Sequence, residues 1–204
     1  MRIILIFLLL FAGTTQLFAQ DKDEELAAQY YASGEFAKSA DIYEKLLRKQ
    51  PGSAYIYSNY LNSLLNLNRF EDAEKMVKNQ ARKFGGNFMY AIDLVYVYEK
   101  AGEPEKAEKQ LKSIIKDLES PEQAGSLAQA LMRRKKYEPA VEAYLRGRKM
   151  ANDDALFARE LANTYAHLGK KEELISESMI LLSANPGNME QIQNLLQSVL
   201  SDDK

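Results

Sequence analysis

The chain has 204 residues, with 27 Lys and Arg against 29 Asp and Glu, a single histidine and no cysteine. The charges alternate in sign along the chain and form no basic stripe, which argues against an electrostatic nucleic-acid binder. The missing thiols exclude disulfide staples, thiolate catalysis, zinc-cysteine sites and a lipid-modified cysteine, and one histidine supplies metal sites or Ser-His chemistry poorly.

The chain opens MRIILIFLLLFAGTTQLFAQ, a basic Arg2 followed by an apolar run from Ile3 to Ala12 and a small residue at Ala19. That is the pattern of a secretory signal peptide, with cleavage expected after Ala19. The run is about half the roughly 20 apolar residues a spanning helix needs. The mature chain, residues 20–204, is therefore expected in the periplasm or outside the cell, held together by packing alone, with no stable membrane insertion after cleavage.

Turn signals then fall at Gly34, Asn68, Gly102, Lys135 and Gly169, with successive spacings of 34, 34, 33 and 34 residues. Two positions after each turn stands Phe36, Phe70, Pro104, Tyr137 or Lys171, and three further on Ser39, Ala73, Ala107, Ala140 or Leu174. Four before the turn come Tyr30, Leu64, Tyr98, Leu131 and Tyr165, and nine after it Tyr43, Val77, Leu111, Tyr144 and Ser178. These offsets place apolar residues on one face of a helix before the turn and one face of a helix after it. The small residue marks where two helices touch most closely.

Helix ends carry their own marks. SPEQ, Ser120 to Gln123, predicts a capping serine, proline at the first helical position and a glutamine completing a capping box; NMEQ, Asn188 to Gln191, repeats the scheme with asparagine. Gln50-Pro51-Gly52 and Asn185-Pro186-Gly187 read as stops, and Pro104 and Pro139 fall in first turns, where a missing N–H is harmless. FGGN at Phe84 reads as a connector, since no strand precedes it, and RRKK at Arg133 to Lys136 as a solvated turn.

A helix-turn-helix unit of 34 residues with these signposts resembles the tetratricopeptide repeat. The resemblance runs from about Glu25 to Leu200, with units near 21–53, 54–87, 88–120, 121–154 and 155–187 and an extra helix at 188–201. It implies an all-α fold, a right-handed superhelical solenoid of antiparallel helix pairs in which each unit is stabilised by its neighbours. Departures are Leu174 at the small position, Pro104 and Lys171 at the aromatic position, and FGGN in place of a proline stop. The final helix, with Ile192, Leu195, Leu196, Val199 and Leu200 on one face, either caps the array or begins a sixth unit.

In proteins that resemble this one, the inner, concave face of the first helices binds an extended peptide or a helix. Carried over by offset from each turn, the resemblance implies Tyr55, Asn62 and Asn66 in the second unit, with Ile92, Tyr96 and Glu99 in the third. It implies Gln129 and Arg133 in the fourth unit and Arg159, Asn163 and His167 in the fifth. Arg159 and Asn163 resemble half of a clamp that some relatives use for a peptide's terminal carboxylate; its second, cationic half has no match. The carboxylate pairs Glu24–Glu25 and Glu172–Glu173 lie near helix starts, where acidic side chains complement the helix dipole, and read as structural rather than as glycosidase carboxylates. The expectation is a non-catalytic protein-interaction scaffold of the bacterial envelope, without cofactor or metal and with a protein partner. The alternative is an accessory or carbohydrate-binding module of an exported enzyme or surface complex.

Overall fold

The computed structural model describes residues 22–201, so the signal sequence expected at residues 1–19 lies outside them. Among the described residues the chain is all-helical, without strands. Helix α1 covers 22–32. It is followed by α2 (Phe36–Lys49), α3 (Ala54–Asn66), α4 (Phe70–Lys83), α5 (Phe88–Lys100) and α6 (Pro104–Lys116). Next come α7 (Pro121–Arg133), α8 (Tyr137–Ala151), α9 (Ala158–Leu168), α10 (Lys171–Ala184), a 3-10 turn at Pro186–Asn188, and α11 (Met189–Ser201). These are consecutive helix pairs, the fold class the repeat implies.

All five turn residues read from the spacing lie in the left-handed region: Gly34, Gly102 and Gly169 at φ 77, 76 and 66°, Asn68 at 56° and Lys135 at 55°. The amide after each one then reaches back to the carbonyl four residues before the turn. Glu35 donates to Tyr30 at 2.8 Å, Arg69 to Leu64 at 2.9 Å, Glu103 to Tyr98 at 2.9 Å, Lys136 to Leu131 at 3.0 Å and Lys170 to Tyr165 at 3.0 Å. This hydrogen bond satisfies a helix-end carbonyl and turns the chain for the next helix. The residue two after each turn is the first of α2, α4, α6, α8 or α10.

The small positions are all interior: Ser39, Ala73 and Ala140 are 0% exposed, Ala107 2%, and bulky Leu174 only 1%. At the aromatic position Phe36, Phe70 and Tyr137 are half-buried while Pro104 and Lys171 are exposed.

The chain divides into two compact bodies. The first comprises the described residues up to Gly85 with Val97–Glu103, and the second Gly86–Tyr96 with Pro104 onward. In the first, Tyr43, Leu46, Ile56, Tyr57, Leu61, Leu64 and Val77 form the interior. Ser39 and Ser63 meet there at 3.2 Å across α2 and α3, and Ser63 also donates to the Asn59 carbonyl at 2.8 Å, so both buried hydroxyls are satisfied.

In the second body Leu127, Leu131, Ala140, Tyr144, Leu161 and Leu174 form one cluster, flanked by partly buried Leu195 and Leu196 of α11. Ile192 is buried as well, and the side chains of Val199 and Leu200 lie outside those described. Phe157 takes a left-handed φ of 62° and sets its ring over two helix glycines. A Cβ on Gly125 of α7 would lie 3.0 Å from that ring, and one on Gly147 of α8 would lie 2.8 Å from it and 2.7 Å from Ala124. Arg148 forms a two-pronged pair with Glu177 of α10, at 2.9 and 2.7 Å, and its Nε donates to the Leu156 carbonyl at 2.9 Å.

The caps differ in detail from the expectation. Ser120 accepts from the Gln123 amide at 3.3 Å, but the Gln123 side chain accepts from Glu119 at 2.9 Å, one residue earlier than in the usual box. At the C-terminal end Asn185, rather than Asn188, heads the turn, its Oδ1 accepting from Gly187 at 2.9 Å. Asn188 sits inside the 3-10 turn and donates to the Leu181 carbonyl at 3.2 Å.

Candidate functional site

The residues singled out from the sequence occur in both bodies. In the first, α3 places Tyr55, Asn62 and Asn66 on one helix. Tyr55 is half-exposed, with its ring edge-on to Tyr43 at 6.4 Å. The Asn66 amide donates to the Asn62 carbonyl at 2.8 Å, which pins it along its own helix. Glu99 of α5 is exposed.

In the second body, Ile92 is 0% exposed and belongs to the hydrophobic cluster. Its offset from the turn matches an inner-face position, but the run FMYAIDLVYVY makes α5 apolar nearly all round. The side chain at that offset packs inward, and Ile92 offers no surface to a partner. Tyr96, one turn on, is half-buried and held rather than loose: the Arg134 guanidinium lies 4.6 Å over its ring. Nε and Nη2 of Arg134 both lie 2.7 Å from Oδ1 of Asp93, which is 2% exposed.

A buried carboxylate needs a hydrogen-bonded counter-charge. Arg134 supplies it, and the same guanidinium plane covers the tyrosine. The second arginine of RRKK therefore does not lie in a solvated turn; it is a part-buried anchor. The sequence reading missed Asp93 and Arg134, and the available signal was the one acid inside the apolar run of α5.

Gln129 and Arg133 lie one turn apart on α7, and Arg159, Asn163 and His167 one turn apart on α9, all exposed except half-buried Asn163. The two lines are tied beneath by Thr164, whose hydroxyl lies 3.4 Å from the Met132 sulfur and donates to the Glu160 carbonyl at 2.6 Å. His167 stacks face to face on Tyr137, 4.8 Å between ring centres and 8° from parallel. Arg133 and Arg159 make no ion pair among the described residues. Chemically this is a surface of cations, amides and a stacked aromatic pair, suited to carboxylates and peptide groups.

Among the described residues no three His, Cys, Asp or Glu side chains converge as metal ligands. No helix among them is long and apolar enough to cross a membrane. Glu172 and Glu173 stand exposed in the first turn of α10.

No family model matches the chain. It is 24% identical over 202 residues to a TPR repeat-containing protein of Methanocaldococcus jannaschii, an alignment spanning 94% of this chain and 35% of that relative. The chain thus spans about a third of the relative's length. Among solved structures it is similar to MamA of Desulfovibrio magneticus RS-1 (12% identity, 88% of this chain and 96% of that one, TM-score 0.40). It is also similar to pilF of Pseudomonas aeruginosa (19%, 88% and 82%, TM-score 0.38). A third is YrrB, described as a TPR protein with an unusual peptide-binding site (16%, 86% and 93%, TM-score 0.37).

Proposed function

We propose that this tetratricopeptide-type chain is a non-catalytic scaffold of the bacterial cell envelope that holds a peptide or helix of a protein partner on the face of its first helices. The observation that carries the reading is the paired line on α7 and α9, where Arg133 and Arg159 stand without acidic partners beside Gln129, Asn163 and the His167–Tyr137 stack. Arginine and tyrosine contribute heavily at interfaces because each joins a large apolar body to directed hydrogen bonds. Here the helices beneath are already packed together, by Thr164 against Met132 and by Asp93–Arg134–Tyr96, so little backbone ordering is left to oppose binding. The TPR name of the sequence relative and the peptide-binding description of YrrB support a protein or peptide ligand. The basic-apolar-small pattern of residues 1–19 supports export.

The test is affinity capture from an envelope extract, comparing the natural chain with an Arg133→Glu/Arg159→Glu variant. Both arginines are exposed, so the variant is expected to fold. A partner captured by the natural chain and lost from the variant supports the reading. Capture unchanged by the variant places binding elsewhere, and binding on a glycan array with no captured protein favours a carbohydrate module.

A further inference from the structure

The first body holds a recess that none of the inner-face residues lines. A cavity of about 440 Å³ opens between α2 and α4, the second helices of consecutive pairs. Its floor includes Leu47, Tyr60, Met76 and Gln80, all less than a tenth exposed. Gln80 is 6% exposed and its Oε1 accepts no hydrogen bond, although a buried amide oxygen normally finds a donor.

The rim is charged unevenly. Arg48 is used by Glu44 at 2.6 Å and Arg69 by Asp72 at 2.7 Å. Lys75 and Lys83 on the same rim have no acidic partner among the described residues; the Lys83 ammonium lies only against the Phe84 ring at 5.9 Å. The two lysines are eight residues apart on α4 with Asn79 midway, so they share a face with their backbones about 12 Å apart. That separation is too wide for one phosphate or carboxylate to bridge. It matches four residues of extended chain, about 13 Å, in which alternate side chains point the same way. An acid, an apolar residue and an acid at alternate positions would then meet one lysine, the Leu47–Tyr60–Met76 floor and the other lysine.

We infer that the α2–α4 groove is a second docking site, for an extended acidic peptide of pattern acid-x-apolar-x-acid, separate from the first-helix face. The probe is a short fluorescein-labelled peptide carrying Asp-Thr-Leu-Thr-Asp, titrated against the full chain by fluorescence anisotropy. Saturable binding is expected, weakened about tenfold by Lys75→Glu and by Lys83→Glu, and severalfold by serine in place of the peptide's leucine. Rising salt should weaken it, and Arg133→Glu/Arg159→Glu should leave it unchanged.

Both lysines are on the surface, and an unchanged thermal unfolding curve would separate loss of binding from loss of fold. No binding up to millimolar peptide, or binding indifferent to both lysine variants, overturns the inference. Equal competition by inorganic phosphate or a single-stranded oligonucleotide also overturns it, since that would make the groove a general anion site.

Discussion

In the first body, α2 and α3 meet through Ser39 and Ser63, small residues whose hydroxyls satisfy each other at 3.2 Å. In the second, α7 and α8 come so close that Gly147 has no space for a Cβ, and the ring of Phe157 fills the gap beside Gly125. Phe157 accepts a left-handed backbone to reach that place, a conformation that costs a bulky residue about 1–2 kcal/mol. Arg148 and Glu177 then tie the end of α8 to α10, with side chains only 12% and 8% exposed. The first body uses residues that recur at the repeat spacing. The second adds an aromatic wedge and two ion pairs with buried carboxylates, Arg148–Glu177 and Arg134–Asp93, at positions the repeat does not reuse. Where connector 152–157 departs from the short turns used between α1 and α2 or α3 and α4, such single devices hold the helices together.

If that contrast is right, the largest effect should come from Glu177→Ala, which strands Arg148 in the interior. A loss of about 3–5 kcal/mol in urea unfolding is expected, with most of it recovered by Arg148→Met/Glu177→Leu. Recovery matters because it separates a stranded charge from a lost attraction. The glycines provide the next comparison. Gly147→Ala should cost about 1–3 kcal/mol, because its Cβ would meet Ala124 at 2.7 Å. Gly52→Ala in the first body should be nearly neutral, because its Cβ would lie 3.8 Å from Phe84. Equal effects at the two sites would erase the distinction drawn between the bodies.

The turns should behave alike in both bodies and so provide an internal control. Lys135→Gly is expected to stabilise by about 0.5–1 kcal/mol by relieving the left-handed φ, and Gly102→Ala to destabilise by about 1 kcal/mol for the converse reason. A shared response is expected at alkaline pH. Burial pushes the hydroxyls of Tyr60 in the first body and Tyr144 in the second up to about 12, with Glu44 and Glu160 respectively adding to the shift. Between about pH 10 and 12 the unfolded chain has lost these protons and the folded one has kept them. Stability should therefore hold below about pH 10 and fall as pH rises toward 12, seen as a declining urea midpoint that Tyr60→Phe or Tyr144→Phe partly flattens.

Much of the fold is legible along the chain because its devices are local. A left-handed turn residue, the amide that follows it and the carbonyl four residues before it lie within one short segment, so Gly34, Asn68, Gly102, Lys135 and Gly169 could be found by counting. The burial of Ser39, Ala73, Ala107, Ala140 and even Leu174 follows from the same register, since a helix repeats its inward face regardless of the residue placed there. The inner-face positions were less legible. Offset from a turn gives an angle around a helix, but which angles are covered depends on the neighbours, which is why Ile92 is interior while Gln129 and Arg133 are exposed.

Helix, turn, register and repeat were thus determined by the sequence itself, through hydrogen bonds and periodicity acting over a few residues. Tertiary structure alone decided that Arg134 leaves a basic run to neutralise Asp93, 41 residues away, and to cover Tyr96. It alone paired Arg148 with Glu177, 29 residues on, and set Phe157 over two glycines. Burying a charge or filling a gap depends on which surfaces finally meet, and a linear pattern does not record that distance.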